Sequence, residues 1–88
     1  MIRKRFVFTG QVQRVGFRRR ARRAAELLGC TGWGGNNPDG SVTMEIQGSG
    51  VQIRLVLLAV RTGSRIRIRK TEASRLPPVP GESGFRRI

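Results

Sequence analysis

Four residues near the middle of the chain, Asn37-Pro38-Asp39-Gly40, constrain its fold more than any others. An Asp-Gly pair between two apolar runs is a strong reverse-turn signal. The flanking segments, Cys30 to Asn36 and Ser41 to Gln47, are therefore expected to pair as an antiparallel hairpin. Upstream, Phe17, Ala21, Ala24 and Leu28 recur at helical spacing, with Ala25 widening the stripe and Gly29 as the stop. Residues 3–9 mix Arg and Lys with Phe6, Val7 and Phe8 and read as a first strand.

Residues 49–62 carry two periodicities. Val51, Leu55 and Leu58 suit a helix, whereas Val51, Ile53, Leu55, Leu57 and Ala59 alternate as in a strand. Length and the Gly63 stop favour the helix, whose apolar face Ile53 and Leu57 would enlarge for deep burial or self-association. Arg65-Ile-Arg-Ile-Arg69 alternates strictly and reads as a strand with one buried face. Residues 75–82 are expected to be a loop, and Gly84 to Ile88 a short closing strand. This order gives a two-layer α+β sandwich with an antiparallel sheet. Without internal repeats, the 88 residues are expected to form a single domain, 1–88, with a core that needs no disulfide or metal.

Eighteen basic residues, sixteen of them arginine, stand against five acids, for a formal charge of +13. Such a field attracts phosphorylated metabolites, nucleic acid and anionic lipid alike, without choosing among them. The absence of histidine removes imidazole chemistry and histidine-ligated metal. Cys30, the single cysteine, has no internal partner and reads as a buried, reduced thiol. With no signal-like apolar segment at Met1-Ile-Arg-Lys-Arg-Phe6, and a longest apolar run of only Leu55 to Val60, a cytoplasmic protein without membrane association is expected.

Gly10-Gln-Val-Gln-Arg-Val-Gly-Phe-Arg18 ends the first strand and opens directly into the first helix. Converging backbone N–H groups, closed by a guanidinium at Arg18, make a pocket for a small phosphate. Asn36 brings a neutral amide just before the turn. Arg18, Arg19 and Arg20 crowd a helix N-terminus, where the macrodipole disfavours cations by a few tenths of a kcal/mol each. A bound anion relieves that repulsion. Arg19 and Arg20 read as solvated charges, Arg18 as functional.

These segments resemble the acylphosphatase family, whose signature runs Gly-x-Val-Gln-Gly-Val-x-Phe/Tyr-Arg, then Gly-Trp-Val-x-Asn and a turn ending Asp-Gly-Ser/Thr-Val. Gly10, Val12, Gln13, Val15, Phe17 and Arg18 match the first part, and Gly32, Trp33, Asn36, Asp39, Gly40, Ser41 and Val42 the second. Gly81-Glu-Ser-Gly-Phe85 resembles the family's closing strand. The resemblance implies a ferredoxin-like βαββαβ sandwich, with both helices on one face of the sheet and a short extra C-terminal strand. It implies metal-independent, cofactor-free hydrolysis of the carboxyl–phosphate bond of small acyl phosphates. Arg18 and the loop Gln11, Val12, Gln13, Arg14, Val15, Gly16 and Phe17 would hold the phosphate, while Asn36 positions water. An acyl phosphate is already activated by its carboxylate leaving group, so holding the phosphoryl group and orienting water suffice.

Two positions depart from the family pattern. Arg14 replaces a glycine within the phosphate loop, where it would strain or plug the loop or supply a second cation. Gly34 replaces a strand valine, and is expected to weaken the strand carrying Asn36. Two alternatives follow: a catalytically impaired phosphate-binding relative, and a basic nucleic-acid-binding module. The second lacks stacking aromatics, since there is no tyrosine and the four phenylalanines and one tryptophan mostly suit core positions. Only non-specific polyanion binding is expected, by a monomer with weak self-association through its second helix.

Overall fold

The computed structural model describes residues 1–88. The elements run β1 (Ile2–Gln11), α1 (Phe17–Leu28), β2 (Thr31–Asn36), β3 (Val42–Gly48), α2 (Gly50–Arg61), β4 (Arg67–Leu76) and β5 (Phe85–Arg87). The sheet order is β4-β1-β3-β2-β5. The first four strands pair antiparallel in the ferredoxin-like βαββαβ arrangement, and β5 adds to the β2 edge in parallel. The expected hairpin forms with Asn36 opposite Val42.

Alternation along the central strands sends Phe6, Phe8, Val42, Met44 and Ile46 toward the helices, all buried. They meet Ala21 and Ala25 of α1 and Ile53, Val56 and Val60 of α2. The Phe8 ring lies 5.0 Å from that of Phe17, the first residue of α1, which fixes the start of that helix against the sheet. Each such aromatic burial stabilises by about 1.5–3 kcal/mol.

Residues 50–61 form the helix that length favoured, but on a different face. Ile53, Val56 and Val60 point inward, while Val51, Leu55 and Leu58 are 62%, 44% and 58% exposed. Two apolar stripes run along this helix, and periodicity alone does not choose between them. Ile53 is core, so it offers no self-association surface. Ser49 and Gln52 begin the helix with a reciprocal capping box.

β4 is longer than its alternating segment suggested, running through Arg75 and Leu76 where a loop was expected. It is an edge strand, exposed at most positions on both faces, so its sequence has no alternation to show. Ile66, the better-buried isoleucine of that segment, precedes the strand. Trp33 is half-buried on the sheet face away from the helices rather than in the core.

That outer face is covered in part by the segment before β5. Arg3, only 3% exposed, pairs with Glu45 at 3.0 Å and with Glu82 at 2.8 Å. Gln47 exchanges two hydrogen bonds with the backbone of Val79. Partial burial alone would raise the Glu82 pKa. Hydrogen bonds from Arg3 and Thr31, with the charges of Arg3 and Arg86, outweigh that and hold it below the usual carboxylate range. No helix is long and apolar enough to cross a membrane.

Candidate active site

The site lies where β1 gives way to α1. Gly16 is the N-cap of α1 in the left-handed conformation (φ 79°), a geometry glycine adopts without steric cost. It supplies no side-chain cap, and the first turn contains no acid. The opening N–H groups of α1 are thus uncapped donors beside a positive dipole end, a setting that favours an anion.

Arg14 is the one non-glycine residue with positive φ, at 61°. The left-handed conformation costs an L-residue roughly 1–2 kcal/mol. The loop thus takes a left-handed turn that suits glycine, with an exposed arginine side chain on it. The loop is not plugged.

Arg18, on the first turn of α1, lays its stem across β2. Its Cγ is 3.6 Å from where a Cβ on Gly34 would sit, and its Nη1 donates to the Ile88 carbonyl at 2.8 Å. Ile88 in turn donates its N–H to Gly34 at 2.9 Å. Gly34 thus lies beneath the arginine stem, and β2 remains paired to β3 through Asn36. The loosening expected from Gly34 is absent from this pairing.

Asn36 and Asn37 divide their work. Asn37 donates its amide to the Ser41 and Thr43 hydroxyls, at 2.9 and 2.8 Å, and so stiffens the hairpin. Asn36 is exposed at the end of β2 and faces the cavity that Arg18 lines. Gln13 ties the two halves together: its Nε2 donates to the Asn37 and Ser41 carbonyls at 2.8 and 3.0 Å.

This cavity has a volume of about 320 Å³. Of the residues expected at the site, Val12, Arg14, Gly16, Phe17, Arg18 and Asn36 line it together. Gln11, Gln13 and Val15 belong to the same loop but line a neighbouring hollow on its outer side. Three further arginines reach the cavity: Arg19, Arg65 and Arg87. Arg87 ends β5, two residues beyond the stretch that resembles the family's closing strand, and Arg65 lies two residues past the Gly63 stop; only the fold brings them here. Arg20, the other residue read as a solvated charge, instead donates to the Ala59 carbonyl and the Thr62 hydroxyl at the end of α2.

All five acids are engaged elsewhere. Glu45 and Glu82 hold Arg3, Glu26 pairs with Arg22, and Glu72 with Lys70. Asp39 accepts from the Ser41 hydroxyl and N–H, which lowers its pKa below the ordinary value. No three of the acids and the cysteine gather into a metal-binding cluster. The donor set at the cavity is that of an anion site: guanidiniums, backbone amides and one carboxamide.

Residues 4–87 match the model of the acylphosphatase family. The chain belongs to the acylphosphatase family. It is similar to acylphosphatase of Bordetella parapertussis, with 44% identity over 57 residues covering 65% of this chain and 61% of that protein. It is also 42% identical over 64 residues to acylphosphatase of Clostridium perfringens, covering 73% and 72%. The alignment thus spans about three-fifths of the Bordetella acylphosphatase. The fold matches the crystal structure of acylphosphatase from Bacillus subtilis with a TM-score of 0.89, at 26% identity and over 100% and 99% of the two chains.

Proposed function

We propose that this protein hydrolyses small acyl phosphates without a metal ion, with Arg18 holding the phosphoryl group and Asn36 orienting water. The observation that carries this reading is the meeting of Arg18 and Asn36 at one cavity beside the uncapped N-terminus of α1. Membership of the acylphosphatase family supports it.

Water attacks phosphorus, the P–O bond to the carboxylate breaks, and the carboxylate leaves with the bonding pair. Acyl phosphate dianion and water thus give one carboxylate and dihydrogen phosphate. Arg18 suits the phosphoryl oxygens because its planar fork donates two hydrogen bonds and stays charged. One of its five N–H donors is occupied by Ile88, which orients the fork. The Asn36 carbonyl accepts from water, and its NH₂ remains free to donate. No strong general base lines the cavity, and none is required, because the carboxylate leaving group is already good.

The open loop around Arg14 favours this reading over an impaired relative. We further infer a single domain acting as a monomer, since a second copy would bring the same charge of +13. Buried Cys30 is consistent with a reducing, cytoplasmic setting. The test is release of phosphate from benzoyl phosphate in EDTA, with p-nitrophenyl phosphate alongside. Turnover of the first alone is expected. Activity that needs an added divalent ion, or no turnover by folded protein, overturns the proposal.

A further inference from the structure

We propose that the site is built for acyl phosphates whose acyl group carries a second anionic group, held by Arg65 together with Arg19. This rests on the function proposed above and specifies its substrate class.

Five arginines, Arg14, Arg18, Arg19, Arg65 and Arg87, line a cavity of about 320 Å³. No aspartate or glutamate pairs with any of them, because the four side-chain ion pairs of the chain involve only Arg3, Arg22 and Lys70 as cations, and Arg18 alone is engaged, by the Ile88 backbone oxygen. A phosphoryl group carries at most about two negative charges. Arg18 and the N-terminus of α1 already match it. The remaining guanidiniums repel one another, and a further anion relieves that repulsion.

Arg65 stands at the junction of three hollows. It lines the site cavity, the outer side of the phosphate loop, and a groove of about 490 Å³ running away between α1 and the turn after α2. Gly16 and Arg19 also line both this groove and the site cavity. Arg19 folds back so that its Nη2 lies 3.7 Å from where a Cβ on Gly16 would sit. An acyl group leaving the phosphate position toward the groove therefore passes Arg19 and Arg65. The apolar side chains Ala24, Leu27 and Ala59 line that groove and suit a carbon chain.

The backbone beneath Arg65 is held on both sides. Ile66 is buried in the core and donates its N–H to the Gly63 carbonyl at 3.1 Å, closing a tight turn. A Cβ on Gly63 would meet Ile66 Cδ1 at 2.7 Å and Arg20 Cδ at 3.1 Å, so glycine lets these two side chains pack against the turn. Arg67 braces the same turn through the Ser64 and Ile66 carbonyls.

The experiment compares kcat/KM for 4-carboxybenzoyl phosphate and benzoyl phosphate, which differ by one distal carboxylate, at low ionic strength. The wild type is expected to favour the carboxylated substrate by about tenfold, the strength of one charge-assisted hydrogen bond. Arg65→Gln is expected to bring this ratio close to one. Arg54→Gln removes the same charge from an exposed position on α2 and is expected to preserve the ratio. A wild-type ratio near one overturns the proposal, as does a ratio that Arg54→Gln lowers as much as Arg65→Gln does. If benzoyl phosphate is not turned over at all, the proposed function fails by itself. The second-anion site is then decided by calorimetry with 4-phosphonobenzoate against phenylphosphonate: tighter binding of the former, lost in Arg65→Gln, upholds it, and equal binding refutes it.

Discussion

Gln13 and Asn37 are joined across the site: the Gln13 amide donates to the Asn37 carbonyl at 2.8 Å, and to Ser41 at 3.0 Å. This links the phosphate loop to the hairpin that presents Asn36, so the phosphate and water positions share one frame. Gln13→Leu removes both bonds, leaving the Asn37 carbonyl only the Gly40 N–H and the Ser41 carbonyl only the Asn37 N–H. It is expected to cost about 1–2 kcal/mol of stability and to lower kcat about tenfold through misplacement of Asn36. Inhibition by inorganic phosphate should change little, because Arg18 is untouched. Steady-state kinetics with a urea melt reads both effects, and an unaltered kcat would remove Gln13 from the positioning role.

Arg14 combines backbone strain with a useful charge. Arg14→Gly is expected to gain roughly 0.5–1 kcal/mol, seen as a Tm higher by a few degrees. The same change removes a cation from the cavity and should weaken phosphate inhibition several-fold. A lower Tm would show that the left-handed conformation costs the arginine nothing.

The structure shows why these residues were unevenly legible in the sequence. The turn at Asn37 to Gly40, the α1 stripe from Phe17 to Leu28, and the pairing of Arg18 with Asn36 are carried by local periodicity and by motif spacing. β4 was only half visible because an edge strand exposed on both faces does not alternate. The inward face of α2 was misread because Val51, Leu55 and Leu58 form as regular a stripe as Ile53, Val56 and Val60. Arg65 and Arg87 could not be assigned to the cavity from sequence, since long-range packing alone brings them there.

Glu82 anchors the covering segment through Arg3. Its pKa is lowered on folding, so its stabilising contribution is complete above the ordinary glutamate value near 4.5 and is lost as pH falls through the lower folded value. Glu82→Gln is expected to destabilise the protein near neutral pH by about 1–3 kcal/mol, and to flatten the acid limb of a Tm–pH curve below the ordinary glutamate value. An acid limb of unchanged steepness would contradict the assignment.

Burial pushes the Cys30 thiol pKa up. Its sulfur packs where a side chain on Gly48 would fall, 3.0 Å from that Cβ position. Folded protein is therefore expected to resist Ellman's reagent at neutral pH, and to release one equivalent of thiolate colour once guanidinium unfolds it. A rapid stoichiometric reaction in the native state would show that the thiol is accessible.

The most direct measurement of the central claim is kcat/KM for benzoyl phosphate in wild type, Arg18→Ala and Asn36→Ala, with folding checked by circular dichroism. Arg18→Ala is expected to lose on the order of a hundred- to a thousandfold and to weaken inhibition by phosphate. Asn36→Ala should lower kcat while leaving phosphate inhibition in place. An Arg18→Ala enzyme within about threefold of wild type would contradict the account.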